Sequence, residues 1–93
     1  MKIIYQPQFI NSFNQVWDYI SADSKTRANK FKKEVKHKIE DLVNMPFKFR
    51  QSIYFEDESI RDLIFKGYTI VYKVDELQEV ITIIGMKKYQ ESI

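Results

Sequence analysis

The chain has 93 residues, of which 44% are hydrophobic and 15% aromatic, with two glycines, two prolines and no cysteine. This composition excludes a disordered chain, a disulfide framework and a thiolate metal site, and it favours a reducing compartment. We therefore expect one domain over residues 1–93, in the cytoplasm. No apolar run approaches the ~18 residues of a membrane span, and the first residues, MKIIYQPQF, are too polar for a signal peptide.

Charge is unevenly distributed, although the formal net charge is only +2. Residues 25–50 carry nine Lys or Arg against three acidic residues, whereas residues 51–93 carry five against eight. A basic middle and an acidic C-terminal half predict two faces with different partners, the alternative being two solvated surfaces.

The N-terminal part predicts a short strand followed by a helix. Residues 2–5 form the strand, which Pro7 ends. From Phe9 the apolar positions recur with helical spacing, and Trp17 is expected to be the largest core anchor. Residues 12–15 have the form of a capping box, which would start this helix late.

A second helix follows a break at residues 21–24, which supply caps. Its apolar stripe comprises Ala28, Phe31, Val35, Ile39, Leu42 and Val43. It should stop near Asn44, because Met45 precedes Pro46 and is biased away from the helical region. A break of about four residues between two amphipathic helices predicts an antiparallel helical hairpin.

Four strands are predicted after Pro46: a weak one at 52–55, strong ones at 60–65 and 68–74, and a last one at 80–85. The order β-α-α-β-β-β-β predicts an α+β fold. In it the N-terminal strand joins a twisted, largely antiparallel sheet, and the helical hairpin packs on one face of that sheet.

A two-residue turn at Lys66-Gly67 would pair Phe65 with Tyr68 and so assign two sheet faces. The first face should receive the helices and comprises Arg61, Leu63, Phe65, Tyr68, Ile70, Tyr72 and Val74, among which Arg61, Tyr68 and Tyr72 have structural roles. The second face comprises Asp62, Ile64, Thr69, Val71 and Lys73. We expect it to be uncovered, and thus a natural docking surface.

Chemical motifs are sparse. His37 is the only histidine and lacks a neighbouring second ligand, so neither a metal nor a cofactor is predicted. The sequence has no glycine-rich phosphate loop, and one histidine makes no plausible Ser-His-Asp arrangement. The cluster Lys87-Lys88-Tyr89 is the best candidate for contact with nucleic acid, the alternative being a solvated tail.

The sequence resembles the RelE/ParE superfamily of type II toxin–antitoxin toxins, and is closer to its ParE-like branch. The resemblance rests on the order and spacing of five segments. These are VWDYI in the first helix, ADSKTRANKF at the start of the second, IEDLVNMPFKFRQS at its end, and IRDLIFKGYTIVYKV and VITIIGMKK as the paired last strands. It implies a growth-inhibiting toxin that is wrapped by the C-terminal segment of a cognate antitoxin in a hetero-oligomer.

The resemblance also implies two alternative targets. RelE-like members cleave mRNA in the ribosomal A site, whereas ParE-like members poison DNA gyrase. RelE-like nucleases place an arginine where this chain has Thr69, and lysines or an acid–base group where it has Ile60 and Asp62. Lys87 corresponds to a later arginine, and Tyr89 is a loose match to a late tyrosine or histidine, with Ile93 at the stricter spacing.

Since most nuclease cations are absent, we expect gyrase inhibition without nuclease chemistry. The alternatives are a ribosome-dependent endoribonuclease that uses Lys73, Lys87, Lys88 and Tyr89, or a non-toxic antitoxin-binding relative. The antitoxin is expected to bind the second face at Ile64, Thr69, Val71 and Lys73, or to bind the groove beside the helical hairpin. The basic second helix would then meet acidic antitoxin residues, unless its lysines are simply solvated.

Overall fold

The computed structural model describes residues 1–88 and has the predicted α+β architecture. Its elements are β1 (Lys2–Tyr5), α1 (Pro7–Asp23), α2 (Lys25–Asp41), β2 (Arg50–Gln51), β3 (Ile60–Phe65), β4 (Tyr68–Asp75) and β5 (Val80–Lys88). The five-stranded sheet has the order β1-β5-β4-β3-β2. β1 runs parallel to β5 and every other pair is antiparallel, so the sheet is largely antiparallel, as predicted.

The helical hairpin is tighter than its sequence predicts. α1 begins at Pro7 rather than at residues 12–15, since proline at the first helical position lacks an N–H that would have no partner there. Its last turn stays helical through Asp23, where Ser21 Oγ donates to the carbonyl oxygen of Asp18 at 3.0 Å. Only Ser24 separates the helices, and its hydroxyl caps α2 by accepting from the amide of Arg27 at 3.1 Å.

The β3–β4 hairpin has the predicted register, with Phe65 opposite Tyr68. Lys66 and Gly67 both have positive φ, 49° and 82°, as a two-residue hairpin turn of this kind requires. The preceding strand differs from prediction: β2 is Arg50–Gln51, not residues 52–55. The chain leaves the sheet edge directly after β2.

The core lies between the helices and the first face of the sheet. Phe31 is central to it, stacking on Phe13 at 6.1 Å between ring centroids and meeting Tyr68 edge-on at 5.6 Å. The buried core side chains are Phe9, Phe31, Val35, Ile39, Leu42, Leu63, Ile70, Tyr72, Val74, Ile81, Ile83 and Met86.

The prediction that Trp17 is the largest anchor of this core is wrong. It is only partly buried and does not belong to the core cluster. The α1 stripe that faces the core is Phe9, Phe13, Val16 and Ile20. Trp17, one position after Val16, is rotated by about 100° and lies on the flank of that stripe. Its indole N–H is buried without a hydrogen-bond partner among residues 1–88.

Candidate functional site

The second sheet face is built from transverse rows of paired residues. One row runs across three strands as Ile64, Thr69 and Lys87, because Thr69 pairs with both of the others. Asp62 and Val71 form the adjacent row. Strand pairing therefore places two of the four proposed antitoxin-binding positions, Ile64 and Thr69, in one row with Lys87 from the nuclease candidates.

The expectation that this face is uncovered is wrong at its centre. Thr69, Asp62 and Val71 are 0%, 1% and 5% exposed, respectively. Ile64 and Lys73 are exposed at the margins. In this structure, then, only the margins of the predicted docking surface are accessible to a partner.

The cover is the segment that follows β2. The amide of Ile53 donates to Oδ2 of Asp62 at 3.2 Å, and the ring of Tyr54 lies 3.9 Å from Nζ of Lys87. The segment therefore crosses the face from β2 at one edge to β5. The residues SIYF do not indicate that this segment crosses the face, because they are equally compatible with an edge strand.

Asp62 is an ion-paired residue and not a free acid. Its Oδ2 lies 3.4 Å from Nη2 of Arg50, which pairs with it across β2 and β3. The Asp62 side chain is fully buried, whereas the Arg50 side chain is 41% exposed. This arrangement neutralises a charge that would be costly to bury alone.

The predicted nuclease residues do not converge on one point. Lys73 is four residues from Thr69 on β4, and Lys87 pairs with Thr69, so the two lysines are separated by about 13 Å along the strand direction. Lys88 follows Lys87 directly, and successive strand residues point to opposite faces. Tyr89 and Ile93 lie outside the described residues.

Two of the three residues predicted to be structural on the first face, Arg61 and Tyr72, contact the loop between α2 and β2, whereas the third, Tyr68, packs on Phe31. Arg61 stands opposite Tyr72, donates to the carbonyl oxygen of Phe49 at 3.1 Å, and stacks over Phe47 at 4.9 Å. Tyr72 is fully buried, and its hydroxyl donates to the carbonyl oxygen of Pro46 at 2.7 Å. Burial raises the pKa of Tyr72 to about 12.

An apolar groove of about 330 Å³ lies beside the helical hairpin. Its lining is almost wholly hydrophobic except for two lysines, and comprises Tyr5, Phe9, Ile10, Phe13, Lys32, Val35, Lys36 and Ile39. Tyr5 and Ile10 are 38% and 45% exposed, so apolar surface faces solvent here. Partial burial raises the pKa of the Tyr5 hydroxyl, with a smaller contribution from Glu40.

Comparison with known proteins identifies the family. Residues 3–88 match the family described as "ParE toxin of type II toxin-antitoxin system, parDE". The chain belongs to the ParE toxin family. Comparison of the sequence with curated proteins gave no match.

Two solved structures share the fold of this ParE-family toxin. One is from a chromosomal ParDE system of P. aeruginosa, with a TM-score of 0.75, 13% identity and 97% coverage of both chains. The other is the isolated E. coli RelE toxin, with a TM-score of 0.63, 14% identity, and coverage of 98% of this chain and 86% of RelE. The ParDE-system protein and the RelE toxin therefore both share this architecture.

α2 gives the ParE-family toxin a basic surface. Three ion pairs, Arg27–Asp23, Lys48–Asp41 and Lys66–Glu34, neutralise part of the charge in this region. The α2 lysines without an acidic partner among residues 1–88 are Lys25, Lys30, Lys32, Lys33, Lys36 and Lys38.

The part of the toxin that the structure describes contains no cluster of metal ligands and no helix that could span a membrane. His37 is exposed, and no three His, Asp or Glu side chains within residues 1–88 are grouped to hold a metal ion. Neither α1 nor α2 combines the length and hydrophobicity that a transmembrane helix needs.

Proposed function

We propose that this ParE-family toxin inhibits growth by binding DNA gyrase, without cleaving RNA, and that a cognate antitoxin neutralises it. The observation that carries the proposal is the covered centre of the second face, where Asp62 is ion-paired with Arg50 and Thr69 is buried. Cleavage through a 2′-hydroxyl needs a base, an acid and cations around one phosphate. A buried carboxylate that is already ion-paired, beside a buried hydroxyl, does not provide this base, acid and set of cations.

The distribution of cations supports the same conclusion. Lys73 and Lys87 lie at opposite ends of the second face, and Lys87 is stacked on Tyr54. An RNA-cleaving site requires several cations close together to hold a polyanionic substrate. The largest group of lysines instead lies on α2, across the core from this face.

The apolar groove is our candidate for the antitoxin-binding site, and its lining residues define the kind of segment that would fit. Its floor provides Phe9, Phe13 and Val35, and Lys32 and Lys36 supply its positive charge. A partner helix with apolar residues on one face and acidic residues beside them would complement both features. We propose that a segment of this kind from the antitoxin binds here, rather than on the covered centre of the second face.

The test of gyrase inhibition uses purified toxin and its antitoxin. Toxin added to gyrase should block supercoiling of relaxed plasmid, and equimolar antitoxin should restore it. ATP-independent relaxation by a type I topoisomerase serves as the control and should be unaffected. Expression in cells should induce the DNA-damage response before protein synthesis stops.

Two results would reject the proposal. Cleavage of mRNA at ribosomal A-site codons, with normal plasmid supercoiling, would identify the toxin as a RelE-like nuclease. Harmless expression in the absence of the antitoxin would identify a non-toxic antitoxin-binding relative.

A further inference from the structure

The segment covering the second face is closed at its base by a single residue. The amide of Ser52 donates to the carbonyl oxygen of Ile60 at 2.8 Å, and the amide of Ile60 donates to the carbonyl oxygen of Asp57 at 3.0 Å. Both backbone groups of Ile60 thus bracket residues 53–56, which we term the strap. Asp57 Oδ1 also accepts from the hydroxyl of Ser59 at 2.6 Å, which fixes the second end.

Few polar contacts hold the strap onto the face below it. Within residues 1–88, its only hydrogen bond to that face is from the Ile53 amide to Asp62. The ring of Tyr54 adds the contact with Lys87. The Tyr54 amide bonds within the segment, to Oγ of Ser52 at 3.2 Å. The ends of the strap are therefore firmly attached to the sheet, whereas the polar contacts of its middle with the face below are one hydrogen bond and one cation–π contact.

The strap exposes large apolar side chains to solvent instead of burying them against the face below. Ile53 and Phe55 are 67% and 44% exposed, although large apolar side chains normally bury against the surface that they cover. Beneath them, Oδ1 of Asp62 and Oγ1 of Thr69 are buried without a hydrogen-bond partner among the described residues. Exposed apolar groups and unsatisfied buried polar groups both weaken the closed arrangement.

We propose that the strap is a displaceable cover. Residues 53–56 lift off about hinges at Ser52 and Asp57 while the sheet remains intact. Opening breaks the Ile53–Asp62 hydrogen bond and the Tyr54–Lys87 contact, and it exposes Asp62 and Thr69 beside Lys87, which is already exposed. A closed surface then becomes an open polar surface with a carboxylate, a hydroxyl and an ammonium group in neighbouring rows. Opening leaves Lys73 and Lys87 about 13 Å apart along the strand direction, so it does not bring together the cations that RNA cleavage requires.

Hydrogen exchange of the full chain, followed by mass spectrometry, tests this motion. In the wild type, amides of the strap should exchange at least about tenfold faster than those of β4 beneath it. Asp62→Ala removes the acceptor for Ile53 and should accelerate exchange of the strap by a further factor of about ten, with β4 and α1 unchanged. Thr69→Val is the matched control: it removes a buried polar group below the strap without removing a strap contact, so it should not accelerate exchange.

Lys87→Ala keeps the test decisive if Asp62→Ala does not fold. Lys87 is exposed, so its replacement should leave the fold intact while releasing Tyr54, and exchange of the strap alone should rise roughly threefold. Strap amides as protected as those of β4 in the wild type would overturn the proposal. The same conclusion would follow if the folded variants left strap exchange unchanged or accelerated all regions equally.

Discussion

The hydroxyl of Tyr72, at the centre of the sheet, donates to the carbonyl oxygen of Pro46 at 2.7 Å, 26 residues earlier in the chain. Arg61, opposite Tyr72, donates to the carbonyl oxygen of Phe49 in the same loop. Together the two side chains fix the loop between α2 and β2 against the first face. Because β2 follows directly, this contact also determines where the strap begins.

Tyr72→Phe should destabilise the toxin by about 1 kcal/mol, because the Pro46 carbonyl loses its hydrogen-bond donor. Urea denaturation monitored by circular dichroism measures the change in the free energy of unfolding. Tyr19→Phe is the control, since Tyr19 is 79% exposed and its replacement should change stability by less than about 0.5 kcal/mol. Equal effects of the two substitutions would show that the Tyr72 hydrogen bond contributes nothing.

The raised pKa of Tyr72 predicts a loss of stability in alkali. The folded protein keeps the phenolic proton up to a pKa of about 12, whereas the unfolded chain loses it near 10.0. The native state therefore binds more protons between these values, and this contribution to stability falls as the pH rises from 10 to 12. Ultraviolet titration of the tyrosines should show one phenol ionising near pH 12, absent in Tyr72→Phe. If that late step persists in the variant, it belongs to another tyrosine.

The Arg50–Asp62 pair should be strongly coupled. Arg50→Ala leaves a buried carboxylate with only the Ile53 amide as a partner and should cost about 1–3 kcal/mol. The same substitution made in an Asp62→Asn background should cost less, because no charge is then left unpaired. A double-mutant cycle of urea denaturation curves gives the coupling energy. Additive effects would mean that the pair contributes nothing despite its geometry.

Two double substitutions that change the net charge equally test whether the antitoxin binds in the groove. Lys32→Glu with Lys36→Glu reverses the charges that line the groove and should weaken antitoxin binding about tenfold or more, measured by calorimetry. Lys30→Glu with Lys33→Glu makes the same change in net charge on α2 outside the groove lining and serves as the control. Similar losses in the two variants would indicate long-range charge attraction and not a groove site.

Local sequence chemistry predicted the hairpin but not the cover. The register at Lys66-Gly67 follows from a turn type that requires positive φ at both positions, so the two faces could be assigned without a structure. The strap differs because the contacts of Ile53 with Asp62 and of Tyr54 with Lys87 join residues 9 and 33 positions apart. No local periodicity encodes such contacts, and so the burial of Thr69 was not predicted.

Burial of Thr69 predicts that the arginine of nuclease relatives does not fit here. Thr69→Arg would force a guanidinium beneath the strap, where it lacks space and an available acceptor apart from the unsatisfied Oδ1 of Asp62. We expect a loss of about 3 kcal/mol or more in the free energy of unfolding, together with faster proteolysis at residues 53–56. Ile64→Arg is the matched control, because Ile64 adjoins Thr69 in the same row but is 38% exposed, and it should cost less than about 1 kcal/mol. A Thr69→Arg protein as stable as the control would mean that the strap is displaced at little cost. The centre of the second face could then accommodate the arginine that nuclease relatives have at this position.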